Sequence, residues 1–266
     1  MQQIQLYDTI GKEWGLIMSR KIGYAFLCKK GKVRKKNQDN YWCMGDFLPQ
    51  ENEGQQRTIT GQINLKDLTG AFCVFDGMGG EACGEIASSI SATTFNNIYK
   101  SIVDLDVQSI VDICYIMNRN VCRFAKRHKI QYMGTTAAML FFGKKEVYAC
   151  NLGDSRIFLL RGNKLQKISV DHVAEGTVFK KPPLTQHIGI PTDEFRIDPY
   201  IVSLKIRKGD RFLICSDGLT DMLSFEDIEA FLVETHSISD CVNDMMKMVY
   251  AKGAIDNTTI VLCEVR

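Results

Sequence analysis

The sequence predicts an α+β fold in which strands pack on strands and helices lie outside. Three observations carry this. Short runs rich in β-branched and aromatic residues recur at 22–28, 40–44, 70–75, 135–142, 146–151, 155–160, 200–206, 211–215 and 258–264. Longer segments with helical character come in two pairs, 81–100 with 107–129 and 224–234 with 238–251. The resulting order lacks strict strand–helix–strand alternation, so a doubly wound parallel sheet is a poor fit.

Each helix has its own signal. Ile86, Ile90 and Ile98 mark the first face, and Ile110, Ile113, Met117 and Val121 the second. Ser224 opens the third, with Asp227 three residues on as a capping acid. Residues 1–20 are weakly patterned and read as an N-terminal extension to a domain spanning 21–266.

Composition narrows the function classes. Apolar residues make up 45% and charged residues 24%, enough for a sizeable core and against bulk disorder. A net charge of +2 gives no case for nucleic acid or an acidic membrane. The densest basic cluster is Lys29, Lys30, Lys32, Arg34, Lys35 and Lys36, which, Arg34 excepted, reads as a solvated loop. Ten cysteines include no C-x-x-C pair, so buried free thiols in a reducing cytoplasm are expected. No apolar stretch approaches a membrane span, and no secretory leader is recognisable.

Four aspartates share one local grammar. Asp76, Asp154, Asp217 and Asp256 each follow an apolar run and sit beside Gly, Ser or Asn. A carboxylate at a strand tip is held by the sheet but faces solvent. Several converging there make a hard, all-oxygen site suited to Mg²⁺ or Mn²⁺. One Asp-Gly alone would be ordinary turn punctuation; four such sites are not. Gly77-Met-Gly79-Gly-Glu-Ala82 also fits a dinucleotide-binding pattern. Asp76 and Glu81 at that helix start would repel a pyrophosphate, which counts against it.

As a set, the strings resemble the PPM-type metal-dependent phosphatases, the protein phosphatase 2C family. They are Val33-Arg-Lys-Lys-Asn-Gln-Asp39, Phe75-Asp-Gly-Met-Gly-Gly80, Met133-Gly-Thr-Thr136, Asn151-Leu-Gly-Asp-Ser-Arg156, Leu184-Thr-Gln-His-Ile-Gly189, Cys215-Ser-Asp-Gly-Leu219 and Asp256-Asn-Thr-Thr259. They occur in the family's order, and the methionine at Met78 resembles the bacterial branch. The resemblance implies a four-layer αββα sandwich: two antiparallel β-sheets flanked by helices, with a binuclear metal site in the cleft. It implies hydrolysis of phosphoserine and phosphothreonine in proteins by a metal-bridging water, without a phosphoenzyme.

By motif, Asp76 would bridge two Mn²⁺ or Mg²⁺ ions and the Gly77 carbonyl would assist the second. Asp217 and Asp256 would complete the first ion's ligands, and Asp154 with Asp221 would hold a third, weaker ion. Arg34 would bind the substrate phosphate, and Asp39 would support the metal shell through its water. Two positions depart from the family. Gln38 replaces a glutamate beside the second metal, offering one oxygen and no charge. Met78 replaces a histidine and cannot donate a proton to the leaving alkoxide.

The implied partners are phosphoproteins, substrates of a serine/threonine kinase, met by a cytoplasmic monomer with no nucleic-acid or membrane partner. The alternatives are a pseudophosphatase acting as a regulatory module and a phosphatase of a small phosphorylated metabolite. A flap between Val173 and Leu184 is short, residues 174–183, so it should cover little of a peptide and discriminate modestly. Its Lys180 and Lys181 read as solvated, the alternative being that they favour acidic flanking sequence.

Overall fold

The computed structural model describes residues 20–65, 70–78, 83–102, 105–144, 146–176, 181–191 and 196–266. The extension at 1–19, the start of the first predicted helix and the flap centre at 177–180 lie outside the described residues.

The chain enters as β1 (Lys21–Lys29), β2 (Asp39–Cys43), β3 (Ile59–Asn64) and β4 (Gly70–Met78), followed by helices α1 (Gly84–Tyr99) and α2 (Val107–His128). A run of strands comes next: β5 (Gly134–Thr135), β6 (Ala137–Phe142), β7 (Glu146–Leu152), β8 (Arg156–Arg161), β9 (Lys164–Lys167), β10 (Tyr200–Lys205) and β11 (Arg211–Cys215). One-turn α3 (Asp217–Thr220), then α4 (Phe225–Glu234) and α5 (Ile238–Ala251), lead to β12 (Thr258–Val265).

These strands make two antiparallel six-stranded sheets. One has the order β3-β1-β12-β11-β8-β9; the other runs β10-β7-β6-β4-β2, with β5 paired to β4. Side chains alternate between faces, so each central strand feeds two cores. Ile22, Phe26, Phe72, Phe142, Phe212 and Val261 fill the layer between the sheets. Phe75, Met139 and Phe141 face outward onto Phe95 of α1 and Met117 of α2. Leu27, Leu213 and Leu262 face outward onto Leu232 of α4 and Met245 of α5. The predicted αββα sandwich is therefore the observed one.

The predicted helix start at Ser224 and its capping box are present, with Ser224 and Asp227 bonding each other's backbone. All ten cysteines are free thiols, and eight are buried. Strands β3 and β9 were not apparent in the sequence because each carries only a sparse apolar signal. β3 alternates half-buried and exposed positions, and β9 buries only Leu165. The predicted strand 135–142 is interrupted at Thr136, whose N–H donates to the Asp76 carbonyl at 2.9 Å. That break delivers β5 to the end of β4, where the acidic residues gather.

Candidate active site

The acidic cleft lies where β2, β4, β11 and β12 end. Asp39 and Asp76 are register partners across β2 and β4. Asp76 is fixed through its backbone: its N–H donates to Thr136 Oγ1 at 3.0 Å and its carbonyl accepts from Thr135 Oγ1 at 2.9 Å. Its carboxylate is thereby left for the cleft. Gly77 follows because nothing larger fits. A Cβ there would lie 2.2 Å from the Gly84 carbonyl oxygen and 2.5 Å from that of Gln38. Gly218, beside Asp217, is constrained in the same way, with the Asn257 carbonyl oxygen 1.9 Å from a Cβ. Asp217 opens α3 directly after β11, and Asp221 caps its end, donating N–H to the Asp217 carbonyl at 2.7 Å.

Asp39 is buried. Its Oδ2 accepts from Ser216 Oγ at 2.8 Å and Thr259 Oγ1 at 2.7 Å. Its Oδ1 has no hydrogen-bond partner among the described residues. Burial, with Asp217 and Asp256 nearby, pushes its pKa up to about 7 despite those two hydroxyls. Asp76 is raised well above the carboxylate range by burial and by Asp39, Asp217, Asp154 and Asp256. Asp154, in the turn between β7 and β8, is pushed up to about 6 by burial and Asp217. Mutual repulsion of this kind is relieved by cations.

The described residues bring two cations to these acids. Lys181 Nζ lies 2.6 Å from Asp217 Oδ2, 2.9 Å from Asp221 Oδ2 and 3.5 Å from Asp256 Oδ2. Burial opposes its charge, but Asp217 and Asp221 outweigh that and hold it protonated. Arg34 grips Asp256 with two donors, Nε to Oδ1 at 2.8 Å and Nη2 to Oδ2 at 2.6 Å. Lys181, read from its loop as solvated, is exposed but also paired with three of the acids. Asp217, Asp221 and Asp256 are turned toward these cations, and among the described residues no three His, Cys, Asp or Glu side chains stand ready to hold one ion together. The donor chemistry nevertheless suits a hard divalent ion: clustered carboxylates, a buried carboxylate oxygen lacking a partner, and a close-approaching backbone at Gly77.

Sequence reasoning missed the residues that position the site. Asn257 is buried, donates to the carbonyls of Lys30 and Lys36 at 2.8 and 3.0 Å, and accepts the Gln38 N–H at 2.9 Å. It therefore ties the Arg34 loop to β12. Gln38 donates Nε2 to Glu85 Oε2 at 3.3 Å, and Lys36 also pairs with Glu85. A buried acid on α1 thus stands beside the neutral amide. Only the motif strings hinted at Asn257, Ser216 and Thr259, and nothing local hinted at Glu85.

Comparison with known proteins agrees with this fold. The family described as Protein phosphatase 2C matches residues 62–252. The chain is 25% identical over 259 residues to the serine/threonine phosphatase stp of Listeria welshimeri, covering 90% of this chain and 94% of that one. It is 27% identical over 235 residues to the protein phosphatase PhpP of Streptococcus pneumoniae, covering 79% and 93%. Among solved structures, the catalytic domain of serine/threonine protein phosphatase PstP, in complex with two manganese ions, superposes with a TM-score of 0.75. That pair shares 22% identity and covers 93% of this chain and 99% of the other. Fold and family together make the chain a protein phosphatase. It belongs to the protein phosphatase 2C family.

Proposed function

We propose that this protein hydrolyses phosphoserine and phosphothreonine esters of proteins in this cleft, with Mn²⁺ or Mg²⁺ bound there. The observation that carries the reading is the gathering of Asp217, Asp221 and Asp256 on the single ammonium of Lys181, beside the buried pair Asp39 and Asp76. The relatives' names support the substrate class, and the manganese ions in the PstP structure support the choice of ion.

Asp76, the Gly77 carbonyl, Asp217 and Asp256 would hold two ions, and Asp154 with Asp221 a third. When bound, such ions supply an acidified water as nucleophile and neutralise charge on the phosphoryl oxygens. Asp39 orders the floor of the site through Ser216 and Thr259. Arg34 offers two N–H donors from a planar fork, matched to two phosphate oxygens. Those donors are held at the site edge by Asp256, so the guanidinium needs only to exchange one oxyanion for another. Met78 offers no proton, so the leaving alkoxide would take one from water or another group.

The substrates are phosphoproteins made by a serine/threonine kinase, and the protein acts as a monomer. No described helix is long and apolar enough to cross a membrane. Turnover compared on phosphothreonine peptides and on a panel of small phosphorylated metabolites tests the substrate class. Peptides should be preferred. A metabolite turned over orders of magnitude faster would replace this reading.

A further inference from the structure

A groove of about 1200 Å³ runs between the C-terminal half of α2 and the segment 184–191. It exceeds the roughly 300–1,000 Å³ of a small-molecule pocket, a size that suits an extended chain. Its lining includes Met78, which follows Asp76 and Gly77 at the tip of β4 and pairs with Gly134. The groove therefore lies beside the acidic cleft.

Its walls are fixed. Ile188 exchanges both backbone hydrogen bonds with Thr135 at 2.9 Å. Asn118 of α2 donates to the Ile190 carbonyl at 2.9 Å and accepts from the Gly189 N–H at 2.6 Å. The groove is thus tied to the same β5 that anchors Asp76.

One wall is basic. Arg119, Arg123 and Lys126 line it from α2, all at exposed positions. Their spacing of four and then three residues puts them on one helical face, where like charges repel. No acidic side chain among the described residues forms an ion pair with any of them. Lys126 lies in the last turn, where the helix dipole favours a cation. Arg119 and Arg123 lie too far from that end to share the benefit. Tyr132, 75% exposed, adds an aromatic face at the rim.

We propose that this groove binds the polypeptide flanking the scissile phosphate, and that Arg119, Arg123 and Lys126 select flanks carrying acidic side chains. The inference rests on the proposed phosphatase activity and names its substrate preference. It assigns to α2 the discrimination that the short flap does not supply.

The test uses the full chain with Mn²⁺ at low salt and phosphothreonine peptides of equal length. Glu residues stand on the N-terminal side in one, on the C-terminal side in another, with Gln at both in a third. One acidic peptide should exceed the Gln peptide in kcat/KM by about tenfold, the combined effect of several exposed charge pairs, and added salt should shrink the ratio. In the triple variant Arg119→Gln, Arg123→Gln, Lys126→Gln the ratio should fall to about one. Arg123→Glu, which places an opposite charge beside Lys126 and keeps the helix sound, should lower it as well. A wild-type ratio of one, or a ratio that survives both variants, overturns the proposal. Hydrolysis of p-nitrophenyl phosphate by the wild type tests the phosphatase reading separately. If no ester is turned over, fluorescence anisotropy of the labelled acidic peptide decides the groove. Binding lost in the triple variant supports it, and equal or absent binding overturns it.

Discussion

Lys181 Nζ lies 2.6 Å from Asp217 Oδ2 and 2.9 Å from Asp221 Oδ2, so a flap residue holds two of the proposed metal ligands. A divalent ion entering this site must displace that ammonium. Lys181→Met should therefore tighten Mn²⁺ binding by about tenfold, equivalent to about 1.4 kcal/mol, as read by calorimetric titration. The metal-free chain should lose no more than about 1 kcal/mol, because the lysine side chain is 55% exposed and its pairs are solvent-screened. An unchanged Mn²⁺ affinity would show that Lys181 leaves the carboxylates at no cost.

Arg34→Ala removes the proposed phosphate fork. It should lower kcat/KM by about 2 kcal/mol or more, the scale of a lost charge-assisted contact. Mn²⁺ affinity should hold or improve, since Asp256 is released from two hydrogen bonds. Unchanged kcat/KM would return Arg34 to the solvated basic cluster.

Gln38→Glu restores the family's charge but sets it beside Glu85, 3.3 Å from the present amide nitrogen. The melting temperature without metal should fall from like-charge repulsion. The upshift on adding Mn²⁺ should grow, and the Mn²⁺ concentration needed for activity should drop. Calorimetry and activity titrations that find all three unmoved would place Gln38 away from the metal.

Asn257→Ala should cut the tie between the Arg34 loop and β12. It leaves the Lys30 and Lys36 carbonyls and the Gln38 N–H unpaired, a cost of about 1–3 kcal/mol in stability. Because Arg34 then loses its support, kcat/KM should fall further than the stability loss alone explains. Denaturant unfolding alongside peptide kinetics separates the two effects. Wild-type kinetics in a destabilised variant would make Asn257 purely structural.

Much of this was legible from the sequence. Phe26, Phe72 and Phe212 sit in runs that write the central strands plainly, and the apolar spacing along α2 marks its buried face. Edge strands β3 and β9 were not legible, because Ile59–Asn64 and Lys164–Lys167 hold few apolar residues, whereas Tyr200–Lys205 of edge strand β10 holds enough to be read. Asp39, Asp154, Asp217 and Asp256 lie close enough to Asp76 to raise its pKa, and Lys181 joins Asp217, Asp221 and Asp256. The contacts around them were hidden: Lys181 from the flap and Glu85 from α1 reach the site only through the tertiary fold, and Asn257, although inside a motif, bonds to a loop far away in sequence. Pairings 36 to 227 residues apart leave no local pattern.

Phosphate release from a phosphothreonine peptide, measured with excess chelator and again after adding Mn²⁺, tests the central claim most directly. The wild type should be silent in chelator and recover on Mn²⁺ addition, while Asp76→Ala should stay nearly inactive in both conditions. A full rate in chelator, or a wild-type rate in Asp76→Ala, would contradict the proposed metal-dependent site.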